Sequence, residues 1–230
     1  MSPASELLLQ QICDSVFPIG AYSHSFGLET FIQLGHVHDA ASAAAYVADQ
    51  INYPLTYTEL LGMRLGYEAA QRADMDALVA LELELQALKT PAEPRTAMNK
   101  LAARFIRTIG ELEVLDNKAA GFFSRYATLQ RDHAVNVAYG VFAALAGIEL
   151  APLMHRYLYS QVSAMVVNCV KTVPLSQTAG QQIITGSFDA MTAACDTALS
   201  CNATMLGLSC PGFDTRCIEH ETLYSRLYMS

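Results

Sequence analysis

The chain has no tryptophan and little charge, with Asp, Glu, Lys and Arg making up 16% of its 230 residues. Positive charge is scarcest: 14 Lys and Arg stand against 22 Asp and Glu, a formal net charge of −8. Such a chain lacks the electrostatic footprint of a phosphate-backbone binder, so no nucleic-acid partner is expected. Long apolar runs are missing too. A membrane span needs about 20 nearly uninterrupted apolar residues. The best stretch, Ala134–Met154, is broken by Asn136, Gly140, Gly147, Glu149 and Pro152, and no membrane association is expected. The N-terminus has no basic region, and Leu7-Leu8-Leu9 runs straight into Gln10 and Gln11. No secretory signal is read there, and a cytoplasmic location is expected.

Chemical motifs are equally sparse. There is no G-x-x-x-x-G-K-[ST] or G-x-G-x-x-G to cradle phosphates, no H-E-x-x-H or paired C-x-x-C to hold zinc, and no G-x-S-x-G elbow. No segment alternates with period two between hairpin turns, which excludes the usual strand signal. The six cysteines, at 13, 169, 195, 201, 210 and 217, are scattered through helical sequence and read as small buried hydrophobes.

What is present is apolar and helix-forming. Hydrophobic residues are 52% of the chain, and mean hydropathy is +0.23. Without a membrane span, that excess belongs in buried helices and protein interfaces. The expected fold is all-α, a single domain over 1–230 built as a bundle of roughly eight to ten helices. A first helix is expected from Ser5 to Val16, and a short one from Leu28 to Leu34 that Gly35 stops. Asp39 is an N-cap candidate, and Pro54 suits the start of another helix. After Asp74, Leu78, Leu81, Leu85 and Leu88 make an apolar stripe with Glu82, Glu84 and Gln86 placed elsewhere; Pro91 ends it. Met98, Leu101, Ala102, Phe105 and Ile109 form another stripe, with Lys100, Arg104 and Arg107 on a separate face. That basic face is either solvated or a contact for an acidic partner. Ala134–Ile148 is apolar nearly all round, and Gly140 and Gly147 would admit a close neighbour. Pro174 is placed in the first turn of a later helix.

Two segments stand out from this scaffold. The first is the loop from Phe17 to Glu29, FPIGAYSHSFGLE. Pro18 fixes one φ, Gly20 and Gly27 open backbone conformations closed to other residues, and Phe17, Tyr22 and Phe26 are aromatic anchors. Ser23, His24 and Ser25 offer short-range hydrogen bonds, with helix capping or loop satisfaction as their structural role. The alternative is a small helical hydrolase using His24 with Ser23 or Ser25, for which no orienting acid is identifiable. The second segment is the tail at 214–230. His220, Leu223, Tyr224 and Leu227 recur at helical spacings, predicting an amphipathic helix that docks to stay ordered. Arg226 falls on another side, suited either to an internal salt bridge or to a partner contact. Cys210, Cys217 and His220 raise a further alternative, a partial metal site. His36 and His38 fit a helix–helix loop.

FPIGAYSHSFGLE resembles the N-terminal signature of the urease accessory protein family UreF, and His220–Ser230 (HETLYSRLYMS) is similar to that family's terminal HE-x-x-YSRLF-x-S pattern. The resemblance implies an all-helical, non-catalytic and usually dimeric scaffold for nickel insertion. It would bridge UreD (UreH) and the GTPase UreG on apo-urease and modulate GTP-dependent nickel delivery. It further implies no cofactor of its own, nickel and GTP being handled by partners; the alternative is a metallochaperone that binds nickel directly through Cys210, Cys217 and His220. Residues Phe17, Pro18, Gly20, Tyr22, Ser23, His24, Ser25, Phe26, Gly27 and Glu29 of the loop, with His220, Glu221, Tyr224, Ser225, Arg226, Leu227 and Tyr228 of the tail, are then expected to bind partners. Tyr22 and Arg226 fall on positions tied to GTPase recruitment. Tyr228 stands where Phe is usual, Thr215 and Cys217 where an aliphatic and a Ser or Met are familiar, and Ser176 where Gly is expected.

Overall fold

The longest continuous rod is formed by α3 (Ala40–Gln50), a π-helical stretch (Ile51–Leu60) and α4 (Leu61–Gln71). This computed structural model describes residues 2–21, 24–208 and 210–229. Around the rod lie α1 (Pro3–Ile12), α2 (Leu28–Gln33), α5 (Met75–Leu88), α6 (Ala92–Leu112), α7 (Asn117–Thr128), α8 (Val135–Leu145), α9 (Leu150–Thr172), α10 (Gln177–Gly186), α11 (Phe188–Ser200) and α12 (Pro211–His220), plus a 3₁₀ turn at Ala203–Met205. With the rod taken as one, that is eleven helices in one compact body, and no strand among the described residues. The all-α expectation holds, with one helix more than its upper bound. No described helix is long and apolar enough to cross a membrane.

The core is built on α8. All its residues from Val135 to Ala143 are buried. It packs most closely on α4 because small residues face each other: a Cβ on Gly140 would lie 2.3 Å from the Met63 carbonyl oxygen, and one on Gly66 would lie 2.9 Å from a Val137 methyl. The predicted close approach at Gly140 is present. Gly147 instead sits in a left-handed turn, at φ +66° with open space beside it.

The N-terminus of α8 is tied by a buried carboxyl. Glu82, placed by its spacing on the polar side of α5, is in fact 1% exposed. It accepts hydrogen bonds from Tyr126 Oη at 2.5 Å and from the Ala134 amide at 2.6 Å, and meets His133 Nδ1 at 3.1 Å. One side chain thus joins α5, α7 and the entry to α8. Burial and the adjacent Glu82 push the Tyr126 phenol well above its ordinary pKa.

Local capping chemistry explains several boundaries. Asp39 and Ser42 form a reciprocal capping box on α3, as expected of Asp39. Asp74 accepts from the Ala77 amide at 2.9 Å and opens α5. Gly35 adopts φ +74° just past α2. Besides Gly147 and Glu82, four further expectations are corrected. The first helix stops at Ile12 rather than Val16, and residues after it turn. Pro54 starts no helix; it lies inside the rod, where the wider π coil relieves the clash a proline ring makes with the carbonyl four residues back. Pro174 lies before α10, because the side chain of Ser176 takes the N-cap and accepts from the Ala179 amide at 3.1 Å. That serine, unusual for the resembled signature, therefore has a local purpose. The fourth correction concerns the tail.

Candidate functional site

Phe17 and Ile19 are buried, and the Phe17 ring sits 6.0 Å from that of Phe105 on α6. These two side chains root the loop in the core. Between them and α2 the backbone takes unusual shapes. Gly20 has φ +84°, and a Cβ there would lie 2.1 Å from Arg104 Nη1. Phe26 and Gly27 are consecutive left-handed residues, at φ +49° and +84°. A phenylalanine in that region is uncommon and held by its surroundings. Gly27 also lets the loop press on α12, since a Cβ would approach the Cys217 sulfur to 2.9 Å. Tyr22 and Ser23, both among the expected site residues, lie outside the described residues.

His24 and Ser25 are buried. The His24 carbonyl accepts from Asn168 Nδ2 on α9 at 2.9 Å, and its ring lies 5.6 Å from the Phe26 ring. Burial, followed by the charges of Lys100 and Arg104, holds the His24 imidazole below its ordinary pKa, with Glu93 opposing. Asn168, the polar exception in an apolar segment, is therefore a loop anchor. A cavity of about 170 Å³ is lined by Ile19, His24 and Phe26 of the loop and by Leu55, Glu59 and Lys89. Glu59 and Lys89 form an ion pair at 2.9 Å across the end of the π stretch.

The tail is not a helix beyond His220. The predicted spacing is real, but the N–H groups it would satisfy internally are taken by side chains of another element. Glu29 on α2 accepts from the amide of Leu227 at 2.8 Å and from that of Tyr228 at 3.0 Å. Gln33, one turn further along α2, donates to the Ser225 carbonyl at 3.0 Å. Thr30 donates to the Arg216 carbonyl of α12 at 2.9 Å. The tail thus runs as an irregular strap across α2, and Tyr224 is fully exposed while Leu227 is 77% exposed.

His220 closes this arrangement. It is 0% exposed and uses both ring nitrogens, Nε2 meeting Glu29 Oε2 at 3.0 Å and Nδ1 meeting Glu93 Oε2 at 2.7 Å. The other oxygen of Glu93 accepts from Arg226 Nη1 at 2.6 Å. Glu29, His220, Glu93 and Arg226 are therefore one continuous polar clamp. The two segments singled out from opposite ends of the chain meet in it.

One face of α6 serves both. Glu93, Lys100, Arg104 and Arg107 follow one another at spacings of seven, four and three, so they share a side of the helix. Glu93 holds the tail, and Arg104 donates from Nη1 to the Ile19 carbonyl at 3.1 Å, holding the loop. These two fixings lie about 16 Å apart along the helix. Spacing alone marked Arg104 as a surface charge and passed over Glu93, because their partners are distant in sequence.

Placement divides the expected site residues. His24, Ser25, Gly27, Glu29 and His220 are buried and shape the surface from within; Pro18, Glu221, Tyr224, Ser225, Arg226 and Leu227 are exposed, with Tyr228 between. Cys210, Cys217 and His220 do not converge as ligands: His220 is occupied by carboxylates, and burial pushes the Cys217 thiol up to about 12. Among the described residues no group of three or more His, Cys, Asp or Glu is arranged to hold a metal ion.

Loop, tail and α6 are thus held together by side-chain hydrogen bonds. In a comparison with protein families, the model described as UreF matches residues 37–187, well over half of the chain. That match contains neither the loop at 17–29 nor the tail, so it rests on different residues from the two terminal motifs.

Proposed function

We propose a function from the premise that the chain belongs to the UreF family, whose members act as accessory proteins in urease maturation. In our reading it is a scaffold that bridges UreD (UreH) and the GTPase UreG on apo-urease and modulates GTP-dependent nickel delivery. It works as a homodimer in the cytoplasm and turns over no substrate itself. Nickel is cargo, and both nickel and GTP are handled by the partners.

The observation that carries this reading is the clamp. Two sequence motifs separated by some 190 residues are joined by Glu29, His220, Glu93 and Arg226 into one fixed surface. A surface already ordered loses less conformational freedom when a partner docks. The clamp also leaves apolar side chains outward: Tyr224 and Leu227 are exposed while the tail backbone at Ser225, Leu227 and Tyr228 is bonded to Gln33 and Glu29. By favouring one nucleotide state of UreG, the scaffold shifts when nickel is released, limited by its differential affinity for the two states.

Arg226 has two possible parts in this. It docks the GTPase, or it reaches the nucleotide in trans as an arginine finger. Its engagement with Glu93 favours docking, since a finger would first have to leave that carboxylate. The test is to mix Arg226→Ala with purified UreD and UreG and follow pulldown and GTP hydrolysis. Docking predicts lost recruitment of UreG. Normal recruitment with lost modulation of hydrolysis would favour the finger, and no change in either would remove Arg226 from the surface.

A further inference from the structure

The basic face of α6 adjoins the loop, where Arg104 meets the Ile19 carbonyl. Lys100, Arg104 and Arg107 are all exposed, and among the described residues none has a carboxylate within ion-pair distance. What sets this face apart from other cations of the chain is that three stand on adjoining turns of one helix, beside the loop. Arg64, Lys89, Arg216 and Arg226, which do pair with carboxylates, lie on other elements. Among the described residues Glu111, one turn beyond Arg107 on the same face, makes no ion pair with it. The acid nearest the other end, Glu93, is already used by His220 and Arg226.

The middle cation is also fixed in place. Arg104 is held at Nη1 by the Ile19 carbonyl, so its guanidinium stands beside the loop without needing a carboxylate to order it. A planar guanidinium pinned at one nitrogen keeps its remaining donors for a second acceptor. Lys100 and Arg107 flank it over about 10 Å of helix. That spans two to three carboxylates on one side of an acidic helix or extended segment, and is short for tracking a nucleic-acid backbone.

We propose that Lys100, Arg104 and Arg107 form the cationic margin of the loop surface and dock an acidic segment of a partner protein. This rests on the reading of the loop as a partner surface, and adds the charge of what it meets. Steering by such a margin speeds encounter and is weakened by salt.

The test uses the full chain, labelled with ¹⁵N, and hexaglutamate as probe, titrated at low and at raised salt. The variant is Lys100→Glu with Arg107→Glu, which leaves the Arg104 contact to Ile19 intact; Arg72→Glu with Lys118→Glu, on other helices, is the control. We expect amide shifts over residues 100–107 and the loop, an apparent Kd raised about tenfold or more in the variant, in keeping with loss and reversal of two exposed charge contacts, and no change in the control. Equal binding by variant and wild type would overturn the proposal. So would tighter binding of a phosphate oligomer at the same residues, which would mark a polyphosphate site. A dimer that the variant converts to monomer would place a second copy there and overturn it as well. The underlying reading fails separately: hexaglutamate binding intact while UreD and UreG are not recruited would refute the scaffold and leave the acidic-segment site standing.

Discussion

Glu82 and Glu29 are both buried carboxyls that gather a histidine and backbone amides, yet they do opposite things. Glu82 accepts from Tyr126, His133 and the Ala134 amide, all within the helical core. Glu29 accepts from His220 and from the amides of Leu227 and Tyr228, on a strap whose outer side chains face solvent. The core cluster is less fully satisfied: His133 Nε2 is buried without a partner among the described residues, whereas both ring nitrogens of His220 are engaged. The same chemistry thus fastens a helix junction in one place and positions an exposed surface in the other. The difference lies in what surrounds the carboxyl. Near Glu82, apolar packing would hold the elements even with the polar bonds loosened. The tail has little burial of its own and depends on Glu29 and Glu93.

Breaking each hub separates these roles. Glu82→Ala should give the largest loss, about 3–5 kcal/mol, because a buried histidine, a phenol and an amide all lose one acceptor. Urea denaturation should show a lower midpoint with cooperative unfolding, and any loss of partner binding should track the unfolded fraction. Glu29→Ala should cost less, about 1–3 kcal/mol, since the freed tail amides can reach water and His220 keeps Glu93 at its other ring nitrogen. Its effect on recruitment of UreD and UreG should exceed anything its stability loss explains, as a pulldown well below the melting temperature would show.

Tyr126→Phe sharpens the core side of the comparison. It should cost about 1 kcal/mol at neutral pH and change the alkaline response. Tyr46, Tyr126, Tyr139 and Tyr157 are all pushed well above their ordinary pKa by burial. Above about pH 10 the unfolded chain releases these protons and the folded chain keeps them, so stability must fall as pH rises. Each such tyrosine adds up to about 1.4 kcal/mol per pH unit to that slope. Denaturation midpoints at pH 9, 10 and 11 should fall less steeply in the variant. The smallest effect belongs to the loop. His24 is held below its ordinary value by burial and by Lys100 and Arg104, so the unfolded state binds its proton first. Stability from this residue is present above about pH 6.5 and declines as pH drops below it; His24→Gln should flatten that part of the profile.

Short-range signals in the sequence were reliable where one residue decides the outcome locally. Asp39 and Asp74 cap the helices they precede, Gly35 ends α2, and the uninterrupted apolar stretch around Val137 is the buried centre. Pro54 misleads because a π coil accommodates what an α-helix rejects, and periodicity carries no sign of that widening. The tail misleads for a different reason: the spacing of Leu223, Tyr224 and Leu227 fits a helix, but amides bound by Glu29 cannot also bond within the tail. The loop and the tail were recognisable as special from their composition. That they form one surface was not, because it depends on Glu93, 127 residues from His220, and on Arg104, 85 from Ile19. Glu82 was placed outside by its position on α5, and only the arrival of α7 and α8 encloses it.

Hydrogen exchange at the amides of Leu227 and Tyr228 in the full-length chain addresses the clamp most directly. Slow exchange at both amides in the wild type, lost in Glu29→Ala while the amides of α8 keep their protection, is the predicted result. Free exchange at Leu227 and Tyr228 already in the wild type, or loss of protection in α8 alongside them, would contradict a strap held by Glu29 over an independently stable core.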